Sequence, residues 1–351
     1  MRGRRNLQVL LALLSLLLPQ STTSTSTERA SIAEALGWVR SAPTDGTQYN
    51  YVMTARVRLL FFWAGKDDVG GGFIRRGTAK DNPREELLQV LFGSDPAKAP
   101  RGINRWGAGT EVVWHANPVA ELSQEDDVVS TAFFGFMKSS RGKTVSEMQA
   151  ELKKEKDHGE HQFTGILSRV ESGSAISLVV PLPSDVDYNL HQYSEAEPLM
   201  LQRLNASDKP ARSLEDTAGC NRAGEFLGTV SQLLNAELES LRPGLTLCYL
   251  YDAQVNKLVV ERAEAVQKLT VKVNGAKGGT VSEETYSDLL ETEFVSIHHV
   301  TGKKVYFTIL TGTRGALRGV PVQIRYQPNW WFQVVLNLLP TEKPNGPGQS
   351  H

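Results

Sequence analysis

The residues from Tyr49 to Trp63 follow an alternating pattern of hydrophobicity. Apolar side chains occupy the odd positions, while Asn50, Thr54 and Arg56 fall between them. A period of two is typical of a β-strand that buries one of its faces. This stretch therefore predicts a half-buried strand.

Short apolar runs recur along the rest of the chain, separated by clusters of Gly, Pro, Asn and Asp. The first half contains FIRRGT, ELLQVLF, TEVVWHA, DVVSTAFFGFMK, HQFTGILSRV and AISLVVPLP. The second half contains LTLCYLYD, KLVVERAE, KLTVKVNG, EFVSIHHV, KKVYFTILTG, GVPVQIRYQ and WWFQVVLNLL. This spacing predicts antiparallel meanders and hairpins, with turns at Asn274–Gly275, Thr301–Gly302 and residues 327–329.

Helical periodicity is confined to the segments SIAEALGWV, VSEMQAELKKEKD and residues 218–241. The last segment carries apolar side chains at helical spacing from Phe226 to Leu241, and it is followed by Pro243 and Gly244, which end helices. We therefore expect an α+β, β-dominated fold. Its antiparallel sheets or partial barrels should carry one long helix packed across a sheet.

The glycine-rich stretch WAGKDDVGGGFIRRG does not have the spacing of a phosphate-binding loop. Lys66 precedes the glycine run at 70–72 and is followed by Asp67 and Asp68, whose carboxylates would repel a phosphate. We expect these glycines to form a hairpin turn or a bulge.

The N-terminus has the pattern of a secretory signal peptide. Arg2, Arg4 and Arg5 precede an apolar core of 12 residues, Leu7 to Leu18, which gives way to Pro19 and a Ser/Thr tract. That core is too short to span a bilayer, and no later stretch approaches the roughly 20 apolar residues that a spanning helix needs. We expect an extracytoplasmic protein, periplasmic or secreted, with no transmembrane span in the mature chain.

The predicted organisation has five parts. Residues 1–24 form the signal peptide and residues 25–185 an N-terminal β-rich domain. Polar, Pro-bearing residues 186–216 form a linker or crossover segment, and residues 217–339 form a C-terminal helix with an antiparallel sheet. Residues 340–351 form a disordered tail.

The charge of the chain argues against nucleic acid as a partner. The formal net charge is -1, and loss of residues 1–24 removes three arginines and no acid, which brings it to -4. Nucleic-acid binders instead carry a basic face, commonly interleaved with aromatic side chains. We expect no nucleic-acid partner.

Cys220 and Cys248 are the only cysteines. An even count in an oxidising compartment makes them candidates for a disulfide, which would tie the long helix to the strand after it. Two free buried thiols are the alternative, because sequence does not give the distance between the two Cα atoms.

Two segments resemble metal sites in part. His158, Glu160 and His161 in KKEKDHGEHQF place imidazole and carboxylate ligands close together, but this spacing is not that of the zinc motif HExxH. A solvated helix end is the alternative interpretation.

The second segment, PSDVDYNLHQYSEAE, opens like a calcium loop with Asp185, Asp187 and Asn189. It has Leu190 where such a loop needs glycine and Ala196 where it needs glutamate. An ordinary loop whose Asp and Asn side chains bond their own backbone is the alternative.

Aromatic side chains are the remaining candidates for contact with a partner. Trp63, Trp330 and Trp331 lie in predicted strands, and because Trp330 and Trp331 are adjacent, one should face inward and the other outward. An exposed ring would mark a contact surface, whereas rings packed in the core would be structural.

These observations favour a noncatalytic exported protein that binds an apolar small molecule, a cell-envelope component or a protein partner. The nucleophile-elbow spacing GxSxG does not occur. The alternative is an extracytoplasmic hydrolase, metal-assisted through His158 and His161. The sequence identifies no catalytic residue and no cofactor.

Overall fold

The computed structural model describes residues 44–59, 62–79, 81–119, 128–138, 161–171, 174–184, 187–206, 212–214, 223–251, 254–273, 282–298 and 301–340. Within these ranges the chain forms one 15-stranded sheet with two α-helices. The β-dominated antiparallel fold is therefore confirmed. The predicted signal peptide, the helices predicted at SIAEALGWV and VSEMQAELKKEKD, the turn predicted at Asn274–Gly275 and the predicted tail, apart from Pro340, lie outside the described residues.

The strands follow the chain almost in sequence order. They are β1 Thr44–Leu59, β2 Phe62–Ala79, β3 Asn82–Ser94, β4 Trp106–His115, β5 Val128–Lys138, β6 His161–Glu171, β7 Ser174–Ser184, β8 Arg212–Leu214, β9 Ala223–Glu225, β10 Thr246–Tyr251, β11 Gln254–Val273, β12 Ser282–Ile297, β13 Lys304–Gly312, β14 Pro321–Asn329 and β15 Phe332–Leu338.

The first and last of these strands, β1 and β15, pair at the centre of the sheet. From there the sheet runs through β2 to β8 on one side and through β14 to β9 on the other. Every neighbouring pair is antiparallel except β9 and β10. Among the described strands no ladder joins β8 to β9, so the sheet is not closed into a barrel.

The helices are α1, Tyr193–Asn205, and α2, Phe226–Asn235. Helix α1 falls inside the segment predicted as a linker or crossover. Helix α2 is the predicted long helix, but it is shorter than residues 218–241. It begins after Glu225, whose extended backbone belongs to β9, and it ends at Ala236, which is also extended. No described helix has the length and apolarity needed to cross a bilayer.

The sheet curls so that β9 and α2 lie against β4, β5 and β6. One face of β2 to β7 packs on α1, in a core that includes Trp106, Phe163 and Met200. Helix α2 packs on β10 to β13 through a second core that includes Leu233 and Phe294. The predicted packing of a helix across the sheet is confirmed, with α2 enclosed between the two halves.

Two turn predictions need correction. Gly70, Gly71 and Gly72 are not a hairpin turn but lie within β2, paired with β1 and β3, and the register shift lies just before them. The turn after β14 is formed by Trp330 and Trp331, while residues 327–329 continue the strand. The Asn329 side chain sets the position of this turn, because it accepts hydrogen bonds from the backbone NH groups of Trp331 and Phe332.

Candidate ligand-binding site

An apolar pocket of about 150 Å³ lies between the sheet and the start of α2. Its walls are β3, β4, β5 and β6 on one side, and β9, the start of α2 and β10 on the other. The lining residues are Val90, Gly107, Ala108, Gly109, Phe133, Gly135, Phe136, Met137, Ile166, Glu225, Phe226, Leu227, Leu250 and Tyr251. Within this described lining, Glu225 is the one acidic group.

Two strand glycines make room for the pocket wall. Gly109 and Gly135 are direct partners in the ladder between β4 and β5. A Cβ atom would lie 2.8 Å from the Phe133 ring at Gly109 and 2.5 Å from it at Gly135. Glycine inside a strand often marks such a close approach. The pair leaves room for the Phe133 ring, which lines the pocket.

Glu225 places a carboxyl group in an apolar wall. Its side chain is buried, and burial raises its pKa to about 8, although a hydrogen bond from Ser168 acts in the opposite direction. Among the described residues its Oε1 atom has no hydrogen-bond partner. The group is therefore largely protonated at neutral pH, and a protonated carboxyl can both donate and accept a hydrogen bond.

A second buried carboxyl group, that of Glu111, lies close by on β4. Burial raises its pKa, and the charge of Glu225 raises it further. Its Oε2 atom accepts a hydrogen bond of 2.9 Å from the backbone NH of Gly228, while Oε1 has no partner among the described residues. Glu111 thus satisfies an otherwise unbonded NH group of the first turn of α2.

The far end of α2 is held by a polar network. Arg76 donates to Asn235 at 3.2 Å and forms an ion pair with Glu86. His115 lies 3.3 Å from the other oxygen of Glu86. Both ends of α2 are therefore attached to the face of β2 to β4, which fixes the pocket wall that the helix supplies.

The residues predicted from sequence as metal ligands are not brought together in the described part of the chain. His158, Glu160 and Asp185 lie outside the described residues, and of His161 only the backbone, at the start of β6, is described. Among the described residues no group of three potential ligands occurs. The zinc-like site stays a prediction.

Asp187 and Asn189 of the calcium-like loop have protein partners. Asp187 forms an ion pair with Lys138 and accepts a hydrogen bond of 2.9 Å from Asn104. Asn189 accepts from the backbone NH of His191 and, with Gln192, forms a capping box ahead of α1. The Asn189 contact is of the kind expected for an ordinary loop, whereas Asp187 bonds side chains that are distant in sequence. The calcium site stays a prediction.

The predicted aromatic contact residues lie at two hairpin tips and not at the pocket. Trp63 is 36% exposed near the start of β2, and Trp330 is 69% exposed. Trp330 and Trp331 form a turn, so they do not alternate across a strand as expected. Cys248 on β10 is disulfide-bonded, while Cys220 lies outside the described residues.

Sequence reasoning missed the pocket, Glu225 in its lining and Glu111 close to Glu225. Glu111 follows an apolar strand segment, WGAGT, and Glu225 lies 114 positions later, so no local pattern links them. The available signals were the glycines inside the strands WGAGTEVVWH and VVSTAFFGFMK. A further signal was that Glu111 occupies a strand position whose side chain faces the interior, where an acid is uncommon.

No protein-family model matches the chain, and no curated protein is significantly similar to it. Among solved structures, it is similar to a beta-barrel-like protein of a domain of unknown function, DUF1849, from Brucella abortus. The TM-score is 0.41 at 8% sequence identity, over 85% of this chain and 98% of that chain. We draw no functional conclusion from similarity at this level.

Proposed function

We propose that this protein is a noncatalytic, extracytoplasmic protein that binds a small apolar ligand in the pocket beside Glu225. The observation that carries the proposal is the pocket itself, a partly open pocket of about 150 Å³ whose lining residues are apolar except for Glu225 and Tyr251. Enclosed apolar cavities of about this volume take up molecules the size of benzene.

The chemistry of Glu225 narrows the class of ligand. Its raised pKa keeps it largely protonated at neutral pH, so it offers a hydrogen bond without a charge. Binding of an anionic ligand would be unfavourable, because the charge of the ligand would be buried beside this group. The pocket therefore suits an apolar molecule that carries a neutral polar group, such as an alcohol or a ketone.

A ¹⁹F NMR titration with fluorobenzene tests the proposal. Val90 lines the pocket, so Val90→Phe should fill it and abolish binding, while Val129→Phe places the same side chain at a half-exposed position elsewhere in the sheet. We expect the wild type and Val129→Phe to bind with equal affinity. Absence of binding to the wild type, or undiminished binding to a folded Val90→Phe variant, contradicts the proposal.

The preference for a ligand with a neutral polar group is tested by comparing the affinities of two ligands. At about pH 6, benzyl alcohol should bind more tightly than benzoate, and Glu225→Leu should reduce the difference between them. Equal affinities in the wild type would show that Glu225 does not contact the ligand.

A further inference from the structure

Two hairpin tips lie side by side at one edge of the sheet. The first joins β1 to β2, and the second is the turn at Trp330 and Trp331 between β14 and β15. Val57 is directly opposite Phe332 in the ladder, and the Arg58 NH donates to the Trp331 carbonyl at 2.8 Å. The tips therefore form one projecting surface, which carries Val57 and Phe62 on one face of the first hairpin and Arg58 and Trp63 on the other.

We call this surface the aromatic rim and define it by Val57, Arg58, Phe62, Trp63 and Trp330. Four of these side chains are large and apolar, with exposed fractions of 38%, 60%, 36% and 69%. They account for more than half of the large apolar side chains that the described chain leaves exposed. Clustered exposure of this kind marks an interaction site, because scattered single residues are the ordinary case.

The rim is also basic. Residues 56–66 contain Arg56, Arg58 and Lys66 and no acid, and residues 327–333 contain no charged residue. Beyond this segment, Asp67 accepts a hydrogen bond from Thr54 and Asp68 pairs with Lys98. The local charge at the tips is therefore positive, in a chain whose net charge is -1.

Cross-strand pairing places basic and aromatic side chains next to each other within the rim. Arg58 is the direct partner of Trp63, so both project from the same face of the hairpin. Protein–protein interfaces are enriched in Trp and Arg but depleted in Lys. Bilayer interfaces, in contrast, hold Trp at the headgroup level together with Lys and Arg.

We infer that the aromatic rim docks onto the surface of an anionic lipid bilayer. Phe62 and Trp330 enter the boundary between headgroups and acyl chains, while Arg58 contacts lipid phosphates. Lys66, whose Nζ atom donates to the Lys98 carbonyl at 2.6 Å, adds positive charge beside them. The basic charge of the rim complements an anionic surface, which selects lipid over an uncharged partner. Docking at the rim does not depend on whether the pocket binds a ligand.

The edge that carries the rim is also the edge at which the pocket strands end. Strand β4 begins at Trp106, while β5 ends at Lys138 and β10 ends at Tyr251, and antiparallel order places these termini on the side of the β1–β2 tip. Docking would therefore turn the strand ends nearest the pocket toward the lipid.

Vesicle co-sedimentation tests the inference with the whole chain that follows residues 1–24. The probes are vesicles of phosphatidylcholine alone and vesicles with about a third phosphatidylglycerol. We expect the wild type to bind the anionic vesicles and Phe62→Ser/Trp330→Ser to bind at least about tenfold more weakly. The matched control, Val129→Ser/Leu238→Ser, removes two exposed apolar side chains outside the rim and should bind like the wild type.

The charge variant Arg58→Gln/Lys66→Gln separates the two contributions. It should lose the preference for anionic vesicles, and added salt should have the same effect on the wild type. The inference is overturned if the wild type stays in the supernatant, or if the rim variant binds as tightly as the control. A dimer in light scattering that the rim variant loses, with no vesicle binding, would assign the rim to a second copy of the chain instead.

Discussion

Glu111 holds the first turn of helix α2 through the backbone NH of Gly228, with 2.9 Å between the carboxyl oxygen and the nitrogen. The two residues come from opposite halves of the chain, which the curl of the sheet brings together. Their contact fixes the helix end that forms one wall of the pocket.

Gly228→Ala should destabilise the protein. Replacing a helical glycine by alanine ordinarily stabilises by up to about 1 kcal/mol. Here the new Cβ would lie 2.5 Å from Glu111 Oε1 and 3.5 Å from Val113. We expect a loss of about 1–3 kcal/mol in the free energy of unfolding, measured by urea denaturation.

The control for this prediction is a double-mutant cycle with Glu111→Ala. Removing the carboxyl group relieves the close contact, so Gly228→Ala should cost less in that background. If alanine stabilises the wild-type background, the contact between Glu111 and Gly228 is not as described.

Glu225→Gln should flatten the pH dependence of stability. The folded pKa is about 8 and the ordinary value is 4.5, so between these values the folded state keeps a proton that the unfolded chain releases. This retained proton stabilises the folded state in full below the ordinary pKa. The stabilisation is lost as the pH rises up to and through the pKa of the folded state, by up to about 1.4 kcal/mol per pH unit. Urea midpoints between about pH 5 and pH 8 measure this slope. Parallel curves for wild type and variant would contradict the account.

Glu86→Gln should show the opposite pH dependence. Burial alone raises the pKa of Glu86, but hydrogen bonds and charge from His115 and Arg76 outweigh it and lower the pKa below 4.5. That stabilisation is present above the ordinary pKa and is lost as pH falls through the folded one. At neutral pH we expect the variant to lose about 1.5–3 kcal/mol, and the difference should shrink in acid. A cost that stays constant down to acid pH would show that the ionised form is not what the network stabilises.

Cys248→Ser should lower stability by about 3 kcal/mol, through the added entropy of the unfolded chain. Cys248 is disulfide-bonded, and the sequence contains one other cysteine, Cys220. Peptide mapping without reductant should recover a fragment that links the two, and the reductant-treated wild type should unfold like the variant. Two alkylated, unlinked cysteines in the mapped protein would contradict this.

The strands could be predicted because alternation is local. From Tyr49 to Trp63 the polarity of each side chain indicates which face of the sheet it occupies, and no distant residue is needed to recognise this pattern. Helix α1 also had a local signal, because Ala196, Met200 and Leu204, which are fully buried, stand at helical spacing. Pro198 and its polar neighbours favoured a linker instead.

The pocket could not be predicted, because it depends on curl and register. Glu111 and Glu225 become neighbours only after the sheet wraps around α2, and a register slip of one residue would turn Glu111 to the other face. The exposure of Trp330 was likewise set by a turn whose position depends on the Asn329 side chain.

Xenon binding in crystals tests the central claim most directly. Crystals pressurised with xenon should show one anomalous peak between Phe133, Ile166 and Leu250, and that peak should be absent in the filled Val90→Phe variant. An ordered chain of water molecules at this position in place of xenon would show that the pocket is wet, and it would contradict the proposal that it holds an apolar ligand.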